Sequence, residues 1–389
     1  MRSTLMLAVG ALALGACSDA PSVTSPRQSS LAPSPALFDA DNGDAGGGGA
    51  VFTATNATSG NAVLAFSRAR DGSLTSAGTF STGGTGIGGT TDPLASQYSM
   101  ILNGDDNRLL FVVNAGSNDI STFRVNSAAL TLVGRTSSGG SLPTSLAISR
   151  HTLYALNAGS NTVRGFDVSE DGTLTPNAGA SASLSADASG GAAIRASRDG
   201  KVLVVTEKGS RTIDVFSIDS HGGLSAPVQS PSVGVTPFGF DFVKQDQIAV
   251  SEAGSAAVSL YSIGKSGTLT VESPSVSTNG QAAPCWLIAT TNGRFAYTAN
   301  AGSGTISGYS VSAHGVLALL VPSGISGSTG AGSTPLDLDL SRGDQYLYVL
   351  ESGAGRIGGF AVAQNGALAP LAGIGGLAPQ SGLQGLAAY

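Results

Sequence analysis

Asn157-Ala158-Gly159-Ser160-Asn161, followed at fixed distances by Val163, Phe166, Gly172 and Leu174, is the stretch from which the rest of the chain becomes readable. The frame recurs at Asn114-Ala115-Gly116-Ser117-Asn118 and at Asn300-Ala301-Gly302-Ser303-Gly304. Acidic copies stand at Glu207-Lys208-Gly209-Ser210-Arg211, Glu252-Ala253-Gly254-Ser255-Ala256 and Glu351-Ser352-Gly353-Ala354-Gly355. Each is followed by an aliphatic residue, an aromatic one and then a leucine. A degenerate first copy opens at Asn56, with Val63, Phe66, Gly72 and Leu74 behind it. Seven copies spaced 43 to 58 residues apart mark a repeat architecture in which each unit buries its apolar face against its neighbours.

Outward from the frame, each unit shows alternating apolar runs bounded by Gly, Asn, Asp and Ser, which is strand chemistry. In the third unit these are Leu153-Tyr154-Ala155-Leu156 and Val163-Arg164-Gly165-Phe166-Asp167-Val168. Another apolar stretch precedes each pair, such as Ser145-Leu146-Ala147-Ile148, and a weaker strand follows. No segment sustains a helical period. Four strands per unit, seven times, predicts an all-β, seven-bladed β-propeller of four-stranded antiparallel blades. The segment from Gly382 to Tyr389 reads as a first strand without successors, and the first unit begins at a second strand. Joining them closes the ring and removes two sheet edges. A closed ring predicts a monomer.

Composition narrows the function. Of 389 residues 41% are hydrophobic, enough for a large core, and 11% are charged. Nineteen Lys and Arg stand against 25 Asp and Glu, a net of −6, with the positive charges spread along the sequence. That argues against a nucleic-acid partner. Three histidines and two cysteines leave little for a zinc or haem site, so neither metal nor cofactor is expected.

Met1-Arg2-Ser3-Thr4, an apolar run from Leu5 to Leu14 and Gly15-Ala16-Cys17 have the layout of a secretory signal, and the run is too short to span a bilayer. Leu14-Gly15-Ala16-Cys17 resembles the bacterial lipobox. The resemblance implies a lipoprotein signal peptide over 1–16, lipidation of Cys17, and outer-membrane retention through Ser18. The alternative is a plain secretory signal. Residues 17–48, rich in Ser, Pro, Ala, Asp and Gly, form a flexible linker. Asp39, Asp41 and Asp44 have some calcium-loop spacing, but Ala50 stands where the twelfth-position acid belongs. The expected location is the bacterial cell envelope, lipid-anchored, or secreted. With Cys17 lipidated, Cys285 beside Trp286 is left as a lone buried thiol.

Over residues 49–389 the frame resembles the lactonase-type seven-bladed propeller family, which includes 6-phosphogluconolactonases and carboxymuconate cyclase-like proteins. Gly83–Gln97, with Asp92-Pro93-Leu94 and Ser96-Gln97, resembles a secreted bacterial branch. The resemblance implies lactone opening, with Pro-Arg-His on an inner strand and a Glu at the next frame. Glu207 matches that Glu and is the candidate catalytic residue. Gly190-Gly191-Ala192-Ala193 stands in place of Pro-Arg-His, with Arg195 the nearby cation. Lactone opening needs a base for water and donors for the oxyanion.

The turns that carry the frame share a face with the connections between blades, so they are expected to ring one channel mouth. Candidate ligand-binding residues there are Glu207, Glu252 and Glu351, joined by Asp337, Asp339 and Arg195 from inner strands. Asp337 and Asp339 are two apart, hence on one side of a strand. The bland alternative is that these acids satisfy hydrogen bonds between blades. Asn at the start of the frame suits left-handed turn geometry. His151, His221 and His314 fall in turns where other units carry unrelated polar residues. Gly83–Gly89 lacks a following Lys-Ser/Thr and reads as a surface loop able to cap the mouth. The inventory favours a scaffold that binds an envelope protein, a glycan or a small polar ligand, with lactone hydrolysis as the alternative.

Overall fold

A computed structural model describes residues 48–103, 108–185 and 189–389. The expected signal peptide, the lipidation site at Cys17 and linker residues 17–47 lie outside the described residues. Seven antiparallel sheets follow one another around a ring. Blade 3 is representative: Pro143–Ser149 innermost, then Thr152–Asn157, Thr162–Val168 and Leu174–Ser183. The other inner strands are Gln384–Ala388 in blade 1, Met100–Leu102 in blade 2 and Gly191–Ala196 in blade 4. Blades 5, 6 and 7 begin with Pro237–Lys244, Pro284–Ala289 and Pro335–Leu340. Blade 6 carries a fifth short strand, Gly327–Ser328, on its third.

Closure is as expected. The C-terminal strand pairs with Gly49–Ala54 in the register Val51↔Ala388, Phe52↔Ala387 and Thr53↔Leu386. Thr53 Oγ1 donates to Gly385 O at 2.7 Å, and Phe52 stacks on Tyr389 at 6.4 Å. Both ends of the domain are thus held in one sheet, which leaves no open seam for fraying.

Second strands such as Leu109–Asn114 and Phe295–Asn300 are buried along their whole length, whereas the outermost Leu74–Ser81 is largely exposed. Side chains on both faces of each inner half pack against adjacent blades. Tyr154, Leu156 and Val163 of blade 3 interlock with Ile194, Leu203 and Phe216 of blade 4. Period-2 strands buried on both faces become near-continuous apolar runs.

The frame's turn chemistry differs from the sequence expectation in one respect. The left-handed position is its fifth residue: Asn118, Asn161, Arg211 and Ala256 have φ of 49° to 60°, and Gly304 and Gly355 take 65° and 61°. In the six full copies the first residue is instead the buried end of the second strand, whereas Asn56 of the degenerate first copy takes the left-handed position itself, with φ of 48°. Asn157 Nδ2 donates to Ser138 O at 3.0 Å, tying its hairpin to the preceding crossover. Glu252 Oε1 accepts Gly234 N at 2.8 Å and Tyr261 Oη at 3.0 Å for the same purpose. Cys285 is fully buried on the inner strand of blade 6 and is not a free cysteine, a departure from the lone thiol expected from sequence.

Candidate functional site

The inner strands expose one edge of backbone polar groups to the central channel, and those groups need partners. Residues 92–98 supply them at the frame-side mouth. Gln97 is fully buried: its N donates to Ala192 O at 3.0 Å and its Nε2 to Leu287 O at 2.7 Å. Its Oε1 accepts Leu287 N at 3.2 Å, and its O accepts Ser145 Oγ at 2.5 Å. Tyr98 Oη donates to Phe240 O at 2.8 Å, and Trp286 Nε1 donates to Ser96 O at 2.9 Å. Gln384 Nε2 reaches Asp92 Oδ1 at 3.1 Å, and Lys208 Nζ reaches Ala95 O at 2.8 Å. One segment therefore bonds to blades 1, 3, 4, 5 and 6. A Cβ at Gly239 would lie 2.2 Å from Gln97 Oε1, so this inner strand needs glycine there. The glycine-led stretch is a surface loop only at its start; its far end plugs the channel.

The three frame glutamates lie on this plugged side and are not brought together. Glu207 is fully buried, with Oε1 accepting Ser185 N at 2.9 Å and Oε2 accepting the Ser185 and Ser210 hydroxyls. Glu252 is held as described above, and its Oε2 also accepts Ser275 Oγ at 2.8 Å. Glu351 is paired with Arg356 at 2.5 Å, and burial pushes its carboxyl up against that pairing.

The inner-strand residues behave differently. Arg195 Nε donates to Asp241 Oδ1 at 3.1 Å, and its guanidinium lies over the Tyr98 ring at 4.5 Å. Asp241 Oδ2 accepts Ala289 N at 3.0 Å, stitching blade 5 to blade 6. Asp339 Oδ2 accepts Ala388 N at 2.9 Å and Asp337 Oδ2 accepts Leu386 N at 3.3 Å, stitching blade 7 to blade 1. Asp337 is buried, and burial with the neighbouring Asp339 pushes its carboxyl well up. Asp339 is pushed up to about 7 by burial, held back by the Ala388 N–H and by Arg195. Burial opposes charge on Arg195, but Asp241, Tyr98 and Asp339 favour it.

Tyr98, Arg195, Asp241 and Asp339 form the deep polar part of a cavity of about 1660 Å³ that opens on the opposite mouth, where first strands turn into second strands. The Arg195 side chain is 35% exposed and the Asp241 side chain 5%, so the cation faces the cavity while its counter-ion is withdrawn. Such a fixed guanidinium, supported from behind by a carboxylate and an aromatic face, is suited to receiving a carboxylate or phosphate. The rim carries Arg150, Arg198 and Arg342, all exposed, with His151 beside them. His221 and His314 lie in turns after third strands.

Sequence reasoning missed Tyr98 and the rim. The positive charges that look scattered along the chain converge here, because the ring brings equivalent turns of different blades to one mouth. The signal was present: Ser149-Arg150, Ser197-Arg198 and Ser341-Arg342 follow the inner strands of three units.

A closed ring of seven four-stranded blades around a polar cavity defines a β-propeller with a single-mouthed funnel. The chain matches the family described as "Lactonase, 7-bladed beta-propeller" over residues 53–185, 150–281 and 249–382, and it belongs to that family. A putative 6-phosphogluconolactonase from Bacteroides fragilis is similar in structure, with a TM-score of 0.68 and 17% identity, covering 89% of this chain and 99% of its own. The periplasmic gluconolactonase of Pseudomonas aeruginosa gives a TM-score of 0.65 and 18% identity, covering 86% and 98%. A protein from Lactobacillus plantarum gives 0.69 and 16%, covering 87% and 98%. At these identities the likeness is one of fold. No curated protein matches the sequence.

Proposed function

We propose that this protein is a cell-envelope propeller of the lactonase family that binds a small, hydroxylated anion in its open funnel. The observation that carries the reading is Arg195, backed by Asp241 and Tyr98 and exposed only towards the cavity. Isothermal titration with a panel of sugar acids tests it. Saturable binding that weakens at least about tenfold in Arg195→Gln is expected for loss of a charge-assisted contact. A panel with no saturable binding would sink the reading.

Envelope attachment rests on the sequence around Cys17. Detergent phase partitioning of the protein made in a bacterial host, with Cys17→Ala beside it, tests this attachment. Partition into the detergent phase that the variant loses is expected. Equal partition of the two would remove the lipid anchor from the proposal.

A second reading, lactone opening in the same funnel, is favoured by Asp339. Its carboxyl, pushed up to about 7, is poised as a base near neutral pH with Arg195 in electrostatic reach. Water adds to the acyl carbon as Asp339 takes its proton, and Arg195 steadies the developing oxyanion. The ring C–O bond then breaks and the alkoxide takes up a proton, giving a hydroxy acid. Glu207 is withdrawn from this chemistry by its burial and its bonds to Ser185 and Ser210. Turnover on a lactone panel should rise through about pH 7 and fall at least about 100-fold in Asp339→Asn. Turnover unaffected by that change would exclude Asp339.

A further inference from the structure

The funnel is larger than a single small anion requires, and its charge is one-sided. Its volume of about 1660 Å³ exceeds the roughly 300–1,000 Å³ usual for small-ligand pockets. Six of the chain's 19 basic residues line it, against the acids Asp241, Asp339, Glu170 and Asp344. Five of the six come from consecutive blades: Arg108 and Arg124 from blade 2, Arg150 from blade 3, and Arg195 and Arg198 from blade 4. They form a wall that runs from the deep Arg195 to the exposed rim. Arg198 extends towards blade 6, where its guanidinium donates to the Thr291 and Thr290 carbonyls. Six arginines against four acids give the lining a formal excess of positive charge in a protein of net charge −6.

We infer that the funnel takes a linear acidic oligosaccharide, one carboxylated end at Arg195 and further carboxylates along the arginine wall. This deepens the proposed anion site and rests on it. The sugar assignment follows from the rest of the lining. Asn103 and Gln345 present amide groups, and the exposed Ser169 and Thr291 present hydroxyl oxygens that can accept from polyhydroxylated rings. Stacking platforms for nucleobases are scarce: the ring of Tyr98 is already covered by Arg195, and Tyr389 stacks on Phe52. Anionic groups joined in one chain bind successive arginines at a high effective concentration, so affinity grows with length without any new type of contact.

Titration of the purified protein with oligouronates, from the monomer to the hexamer at low salt, tests this. Affinity is expected to rise at least about tenfold along the series. Replacing Arg124 and Arg150 together by Gln should cost the hexamer about tenfold and the monomer nothing; both side chains are exposed, so the variant keeps its fold. Monomer and hexamer binding equally would overturn the inference and leave the Arg195 site standing. Polyphosphate or an oligonucleotide binding where oligouronate does not would overturn the sugar assignment. Failure of every anion, with Arg195→Gln silent, would overturn the underlying site itself.

Discussion

The two mouths of the ring are built from the same seven-fold set of strands, yet one is plugged and the other open. On the frame side, chain passes from each blade to the next, and one of those crossovers is long. From Ser81 to Met100 it has the length to reach the axis, and there Gln97, Tyr98 and the Trp286 contact satisfy inner-strand groups. On the other side the first-to-second strand connections are short, tightest between Ser149 and Thr152 and between Lys244 and Gln247, and only a few residues longer in blades 4, 6 and 7. Tight turns cannot reach the axis, so they leave a funnel and aim their side chains around its rim. The position of the site is therefore decided by loop length, and the conserved geometry of the blades has no say in it.

The largest effect that sharpens this contrast is expected on the plugged side. Trp286 is fully buried, packs edge-on against Phe238 at 5.3 Å, and bonds the plug at Ser96 O. Trp286→Ala should cost about 3–5 kcal/mol, through lost burial and the cavity left behind. Denaturant unfolding followed by far-UV dichroism measures it. A cost below about 1 kcal/mol would mean that the plug is dispensable and that the frame-side mouth can open.

How much of this was legible in the sequence differs between the same two regions. The ring was legible almost entirely, because period-2 strands and the recurring Asn-Ala-Gly-Ser frame are local signals repeated seven times. Closure could be read from the orphan strand at Gly382–Tyr389. The plug was not, since Gln97 and Tyr98 gain their meaning from partners 95 to 190 residues away. The candidate acids divided along the same line. Asp337 and Asp339 sit beside each other on one strand, as their spacing requires, and stitch blades 7 and 1. The frame glutamates share a motif yet are kept apart, each within its own blade. A motif places residues at equivalent positions around an axis, and whether they meet depends on which way each strand end points.

A smaller effect is expected from pH. Asp214 in blade 4 is fully buried with neither carboxylate oxygen partnered, and burial together with Glu207 pushes it up to about 8. In the unfolded chain it loses its proton near the ordinary carboxylate value, while the folded protein holds the proton to about 8. The stability tied to that proton is complete at low pH and disappears as pH rises through about 8. The Tm should therefore fall between about pH 5 and about pH 9, and Asp214→Asn should flatten the fall. A variant with the slope of the natural protein would show that Asp214 is not the group responsible.

The smallest expected effect is the one that tests the comparison most directly. If the open funnel is the site, Glu207→Gln should leave anion affinity, and any lactone turnover, within about twofold of the natural protein. Glu207 has no exposed surface, its carboxylate is spent on Ser185 and Ser210, and it lies across the plug from the Arg195 cavity. Glutamine keeps the shape of the side chain and removes the charge beside Asp214, so the variant's stability at alkaline pH should rise slightly. A tenfold loss of turnover with unchanged Tm would reverse the assignment of the two mouths. The plug would then have to move aside in catalysis, and the frame glutamate, with Lys208 next to it, would hold the chemistry that the funnel is here assigned.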